Sequence, residues 1–393
     1  MAITHSTTGS NIGLVLSGGG ARAAYQAGAL KAISDILSES SPVPAPSPFH
    51  SIAGISAGAI NAAFMGCNAH DFQRATAQAW KLWSELRSER ILDTSPFFLT
   101  RLAFRWMRDL SFGGIVKRPR SNHLLGTGPL EKLMSSILDF EALARNLRDG
   151  TLKGMAISAT HYGNGSSVTF FDGDAGILPW ARNSRIGIRR KIGLEHVLAS
   201  ASIPILFEPV PLEGAFYGDG SVRLRAPLSP AIHMGSDKIL TIGIRYERPD
   251  SAALDRHEHS KMKSVSLVEI AGVMMNGAFM DGLESDIERL QRVNRTVSLI
   301  PKEKWEGLDA PLREVPILVI KPSQDLGQLA ADQFDKFPIL IRHLLKGIGA
   351  SREKGADLLS YLAFDASYTK LLLELGHADT MKRREEIIQF FQT

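Results

Sequence analysis

The chain has 393 residues, 44% hydrophobic and 22% charged, with 45 Lys and Arg against 41 Asp and Glu for a net charge of +4. Such a chain can bury a sizeable core, as one large domain or one domain with an appendage, and is too apolar to be a disordered polyelectrolyte. The charge excess is too small to mark a nucleic-acid binder, and a lone cysteine, Cys67, excludes an internal disulfide and fits a reducing compartment.

At the amino terminus, "MAITHSTTGSNIGLVLSGGG" has no basic n-region, and three glycines cut its apolar run short, so no signal peptide is read. No run approaches the roughly 18 to 20 apolar residues of a membrane span. A cytoplasmic protein is expected, free or peripheral at the inner face of a membrane. "IGLVLS" (12–17) reads as a buried strand and "RAAYQAGALKAISDIL" (22–37) as a helix. "HSIAGIS" (50–56) is a second strand after the proline-rich "SPVPAPSP", and residues 71–89 show helical spacing.

Residues 101–120, "RLAFRWMRDLSFGGIVKRPR", combine six Lys/Arg with aromatics, as does an interface for anionic head groups, where each cation contributes about 1 kcal/mol. Arg101, Phe104, Arg105, Trp106 and Arg108 are the candidate membrane contacts, with Phe97, Phe98 and Phe112 nearby. A solvated loop carrying a few buried aromatics is the plainer alternative.

Further on, Asn164-Gly165 is a hairpin dipeptide, so 152–172 read as two strands. "LEHVLASAS" reads as a short helix, and "KILTIGIRY" (238–246) and "VPILVIKP" (315–322) as strands. One long helix over 267–293 is either a methionine-bearing, lipid-facing lid or an ordinary core helix. Beyond 335 the chain reads as helices alone. The fold class is α/β: a mostly parallel central sheet covered by helices, with an added helical C-terminal region. The expected division is a core over 11–245, its continuation with the long helix and late strand over 246–334, and a helical extension packed on the core over 335–393.

Two glycine constellations carry chemistry. Gly54-Ile55-Ser56-Ala57-Gly58 fits G-x-S-x-G, in which a tight strand-to-helix turn pushes a serine hydroxyl out of the sheet. Glycines at both flanks allow the close approach the turn demands, and the next helix presents free amides and its positive dipole end. A plain N-cap serine satisfies the same letters. The second, Ser17-Gly18-Gly19-Gly20-Ala21-Arg22, follows the first strand and can aim several amides at one anion or oxyanion. It also fits G-x-G-x-x-A, but a dinucleotide site wants an acid at the end of strand two, where this chain has Ser56. No Lys-Ser or Lys-Thr follows the glycines, which disfavours a P-loop.

The serine needs a proton acceptor. His161, His196, His233, His257, His259, His343 and His377 lie downstream in contexts that mark none as catalytic, and too few strands precede Ser56 for an α/β-hydrolase. Asp219, between Gly218 and Gly220, is the better candidate; Asp172, followed by Gly173 and Asp174, reads as a polar turn.

The trio "SGGGARAAYQAGAL", "GISAGAINAA" and "DGSVRLRAPLSPAI", with "ASASIPILFEPV" before Asp219, resembles the patatin-like phospholipase family over residues 11–245. The C-terminal stretch from "LLSYLAFDASYTK" onward resembles an extension of some bacterial members. The resemblance implies a three-layer α/β/α fold and a Ser-Asp dyad without histidine. Ser56 would be the nucleophile and Asp219 the base, with Gly18, Gly19 and Gly20 amides as oxyanion hole, Arg22 beside it, and Gly54 and Gly58 framing the turn. Ala23 and Ser221 depart from the family's usual glycine and DG[AG] motifs, which touches loop geometry. Implied is a phospholipase A-type or lysophospholipase activity on a phospholipid or other acyl ester; peripheral contact with an anionic membrane is the expectation from the basic, aromatic segment above. No metal, cofactor or nucleic acid is called for, and the oligomeric state is not encoded in any motif. The alternatives are a soluble carboxylesterase, thioesterase or acyltransferase on smaller acyl donors, and a non-catalytic scaffold.

Overall fold

The computed structural model describes residues 10–39, 44–91, 93, 100–101, 104–105, 107–108, 111, 122–246, 265–301, 313–336, 342–343, 346–347, 349–351 and 354–392. The chain opens with β1 (Ile12–Leu16), a 3-10 turn (Gly20–Ala23), α1 (Ala24–Ser38), β2 (Ser51–Ile55), α2 (Ala57–Cys67) and α3 (Phe72–Ser84). Two helices, α4 (Gly128–Ile137) and α5 (Phe140–Arg148), precede β3 (Gly154–His161) and β4 (Ser167–Gly173). Then come β5 (Trp180–Arg182), β6 (Arg185–Arg189), α6 (Leu194–Ala201), β7 (Val210–Leu212), β8 (Ala215–Asp219), α7 (Ser229–His233) and β9 (Lys238–Ile242). The rest is α8 (Leu267–Phe279), α9 (Asp281–Ser298), β10 (Ile317–Ile320), α10 (Leu326–Asp332), α11 (Ala356–Leu362), α12 (Ala366–Met381) and α13 (Arg384–Gln392).

The strands form one sheet in the order β10-β9-β1-β2-β3-β4-β6-β5, and β8 pairs with both β3 and β7. From β10 to β3 every neighbour is parallel. These strands read as almost unbroken apolar runs because helices cover both faces. Alternation sorts their side chains: Leu14, Leu16, Ile52, Ile157 and Leu240 point into the larger core with α1, α2 and α12, while Val15, Ala53, Ala156 and Ile239 meet α7 and α9. Each fully buried Leu or Ile of these layers contributes roughly 1.5–3 kcal/mol. The result is a three-layer α/β/α arrangement around a mostly parallel sheet, with a helical C-terminal region against it. That region is bonded to the first layer: Thr369 Oγ1 donates to the Trp83 carbonyl (2.7 Å), and His377 Nε2 bonds Asp35 (3.0 Å).

One expectation changes. The helix read over 267–293 is two helices, α8 and α9, meeting at Met280. Each half answers to a different core: Val268 and Phe279 join the larger one, Leu283, Ile287 and Leu290 the smaller one. The short strands β5 to β7, half-exposed or exposed along most of their length, had no apolar run to announce them.

Candidate active site

Ser56 occupies the single residue between β2 and α2, at φ 55° and ψ −131°. Backbone of that kind costs a non-glycine residue roughly 1–3 kcal/mol and persists only where surroundings enforce it. Here the Ser56 N–H donates to Ser200 Oγ (2.9 Å), Ser200 Oγ donates to the Ser158 carbonyl (2.6 Å), and the Ala59 N–H donates to the Ser56 carbonyl (2.8 Å). Steric need for glycine is acute at Gly58, where a β-carbon would stand 2.3 Å from the Leu16 carbonyl oxygen; at Gly54 one would meet the Ala62 β-carbon at 2.5 Å. Ser200 lies in the "ASASIPILFEPV" stretch but was not singled out, since one serine among small residues carries no spacing signal.

The acid arrives by sheet geometry. β2 stops at Ile55, opposite Ser158 of β3, while β3 runs on to His161. β8 enters the lane that β2 vacates, antiparallel to β3, and its last residue, Asp219, pairs with Ala159. The end of β8 therefore meets the end of β2. Ser56 Oγ donates to Asp219 Oδ2 at 2.5 Å, and the Ser221 N–H donates to Oδ1 at 2.8 Å. The Asp219 backbone is pinned at both groups: its N–H donates to the Ser202 carbonyl (2.8 Å), and its carbonyl accepts from Thr160 Oγ1 (2.7 Å). Asp219 is fully buried, and this desolvation pushes its pKa up to about 7 against the smaller opposing pull of the Ser56 hydroxyl and Ser221. Asp172, read as a polar turn, is instead in strand β4, where it pairs with Met155 near the opposite end of β3 and accepts from the Gly173 N–H (2.8 Å).

Among the described residues no histidine bonds Ser56 or Asp219. His161 and His196 each accept from a local backbone N–H through Nδ1, and His233 stacks on Trp180 with ring centres 4.3 Å apart. His257 and His259 lie outside the described residues.

The glycine loop leaves β1 beside this corner. A β-carbon on Gly18 would lie 2.8 Å from that of Ser56. Among the described residues no backbone carbonyl accepts from the Gly18 or Gly19 N–H. Arg22 is buried and its guanidinium is taken up by side chains of the C-terminal half, Asp357 and Ser360 among them. Ser56 and Gly20 share an apolar cavity of about 70 Å³ with Ile60, Phe64, Ala79, Trp83, Leu133, Met134 and Phe207. Its walls come from α2, α3, α4 and the segment after α6, so it lies on the larger-core side of the sheet.

Of the candidate membrane contacts, Arg101, Phe104, Arg105 and Arg108 stand at helical positions, with Phe104 68% exposed. Trp106, like Phe97, Phe98 and Phe112, lies outside the described residues. No helix among the described residues is long and apolar enough to cross a membrane.

Fold and motif order together define an α/β/α chain with its serine at a strand-to-helix corner and an acid supplied by a later strand. A family model, patatin-like phospholipase, matches residues 14–232, more than half of the chain. The chain belongs to the patatin-like phospholipase family. Comparison with curated proteins finds no match. Among solved structures it is similar to human GIVD cytosolic phospholipase A2 in complex with methyl gamma-linolenyl fluorophosphonate, at 14% identity and TM-score 0.43, over 98% of this chain and 59% of that one. It is also similar to VipD from Legionella pneumophila, at 14% identity and TM-score 0.31, over 97% of this chain and 92% of that one. The chain thus spans about 59% of the length of the human enzyme.

Proposed function

We propose that the protein is a serine lipid acyl hydrolase, of phospholipase A or lysophospholipase type, working through a Ser56-Asp219 dyad. Membership of the patatin-like phospholipase family supports a lipid hydrolase in general terms. The observation that carries the finer reading is the 2.5 Å bond from Ser56 Oγ to a fully buried carboxylate, at the end of an apolar cavity.

An ordinary aspartate, with a pKa of about 3.9, is a feeble base for a hydroxyl. Burial without a cationic partner brings Asp219 to about 7, the range in which proton acceptance is effective near neutrality. Ser56 Oγ attacks the ester carbonyl as Asp219 takes its proton, and the Gly18, Gly19 and Gly20 amides receive the oxyanion. The proton passes to the leaving alcohol, and an acyl-enzyme remains with its chain in the apolar cavity. Water, activated by the same carboxylate, then releases the fatty acid. Arg101, Phe104, Arg105, Trp106 and Arg108 belong to a segment that would rest on an anionic bilayer.

A fluorophosphonate probe should label Ser56 in the wild type, mapped by mass spectrometry. A panel of phospholipids, lysolipids, acyl-CoAs and short esters then ranks the substrates. Fast turnover confined to acyl-CoAs or short esters would replace the lipid assignment, and a folded Ser56→Ala protein hydrolysing esters at the wild-type rate would end the mechanism.

A further inference from the structure

The matched family segment ends at residue 232, yet its glycine loop is gripped from beyond that point. Arg22, two residues after Gly20, is 3% exposed. Its Nε donates to Ser360 Oγ (2.7 Å), its Nη2 to Asp357 Oδ1 (2.9 Å), and its Nη1 reaches Met280 Sδ (3.1 Å). Its Cζ stands 4.4 Å from the centre of the Tyr361 ring. Backbone closes the same contact: Gly20 adopts φ 55°, and a β-carbon there would lie 2.2 Å from the Tyr361 carbonyl oxygen. Phe364, just past α11, lines the apolar cavity together with Ser56 and Gly20, and its carbonyl accepts from Ser88 Oγ (3.0 Å).

We propose that α11 clamps the oxyanion loop, with Asp357 and Ser360 as positioning residues that act through Arg22; this rests on the hydrolase reading above. Three consecutive glycines give the loop wide backbone freedom and no side chains with which to pack. Amides aimed at an oxyanion must nevertheless be fixed before the reaction, because reorganising them during it forfeits their advantage. A guanidinium can impose that order, since its planar donors hold several partners in one fixed geometry. On one side Arg22 continues directly into the glycine loop, and on the other it is locked by α11. Asp357 is reached from solvent through a polar crevice, its side chain 43% exposed, so its replacement can release the clamp without opening a cavity in the core.

The test uses the full chain as wild type, Asp357→Asn, Asp357→Ala, Ser360→Ala and the double alanine variant. Measured are kcat and KM on a short p-nitrophenyl ester, the rate of fluorophosphonate labelling, and the melting temperature. Asp357→Ala should lower kcat about tenfold and the double variant about 10²-fold, with KM within about twofold and labelling slowed in parallel. Asp357→Asn, which keeps an acceptor for Arg22, should recover part of the loss. A folded double variant with wild-type kcat and labelling overturns the clamp, even if its melting temperature falls. Should the double variant not fold, Ser360→Ala alone decides: a few-fold fall in kcat at constant KM supports the proposal and no change overturns it. A wild type inert to both ester and probe refutes the hydrolase reading itself, and the clamp with it.

Discussion

Two aspartates flank the glycine loop in opposite surroundings. Asp219 is fully buried, bonded to neutral hydroxyl and amide donors, and pushed up to about 7. Asp357 is 43% exposed in its side chain and bonded to the Arg22 guanidinium. Desolvation without a countercharge makes a carboxylate basic, whereas a partly exposed carboxylate against a guanidinium fixes the position of its partner's donors. The same side chain is therefore suited to accept a proton at one site and to serve as an anchor at the other.

The hardest way to break this comparison is to remove what Asp219 serves. Ser56→Ala should cut ester turnover by roughly 10⁴-fold or more, with the melting temperature near wild type. Asp219→Asn should cost roughly 10³-fold in kcat, well beyond Asp357→Asn; equal losses in the two variants would erase the distinction between base and anchor.

The environment of Asp219 also sets pH behaviour. As the proposed base its carboxylate has to be ionised, so kcat/KM on a short ester should fall tenfold per pH unit as pH drops below about 7, a limb missing from Asp219→Asn. Folding responds in the opposite sense. The folded pKa is raised above the unfolded value of about 3.9, so the folded state binds the proton more tightly. Its stabilising contribution is whole below about pH 4 and is lost as pH rises to about 7. Urea titrations should accordingly find Asp219→Asn gaining on wild type between pH 5 and pH 8, by an amount on the order of a few kcal/mol. A variant that loses ground over that interval would contradict the buried, unpaired acid.

Smaller effects sharpen the picture away from the two acids. Ala79→Phe adds a ring to the cavity wall and should lower the rate on long acyl chains about tenfold relative to short ones, as read by competition between chain lengths. Reversing Arg101, Arg105 and Arg108 to Glu should weaken binding to anionic vesicles by about 1 kcal/mol per lost cation, with little change on a short ester. Unchanged vesicle binding would remove that segment from the membrane contact.

Legibility differed from one part of the site to another. The Ser56 corner was readable because Gly54 and Gly58 stand two residues from the serine; the clash Gly54 avoids lies within the next turn of α2, whereas the one Gly58 avoids is with the backbone of Leu16 and Ser17 at the end of β1. Asp219 was readable as a candidate from its small neighbours, but the strand that carries it was not, since β8 is only five residues long. Arg22 was placed beside the glycine loop without any hint of its partners, which lie more than 250 residues away. Ser200 was hidden for the same reason, 144 residues from the amide it receives.

What the sequence determined by itself was the alternation of strands and helices, the strand-to-helix corner at Ser56, and the glycine loop after β1, since these obey steric and burial rules acting mainly over a few residues. Only the tertiary structure decided that β8 enters the lane β2 leaves, that the helix expected over 267–293 breaks at Met280, and that α11 closes on Arg22. Those outcomes depend on which surfaces find each other after collapse. Contacts between distant segments are selected by shape, burial and charge across the whole molecule, and residue spacing along the chain carries no record of them.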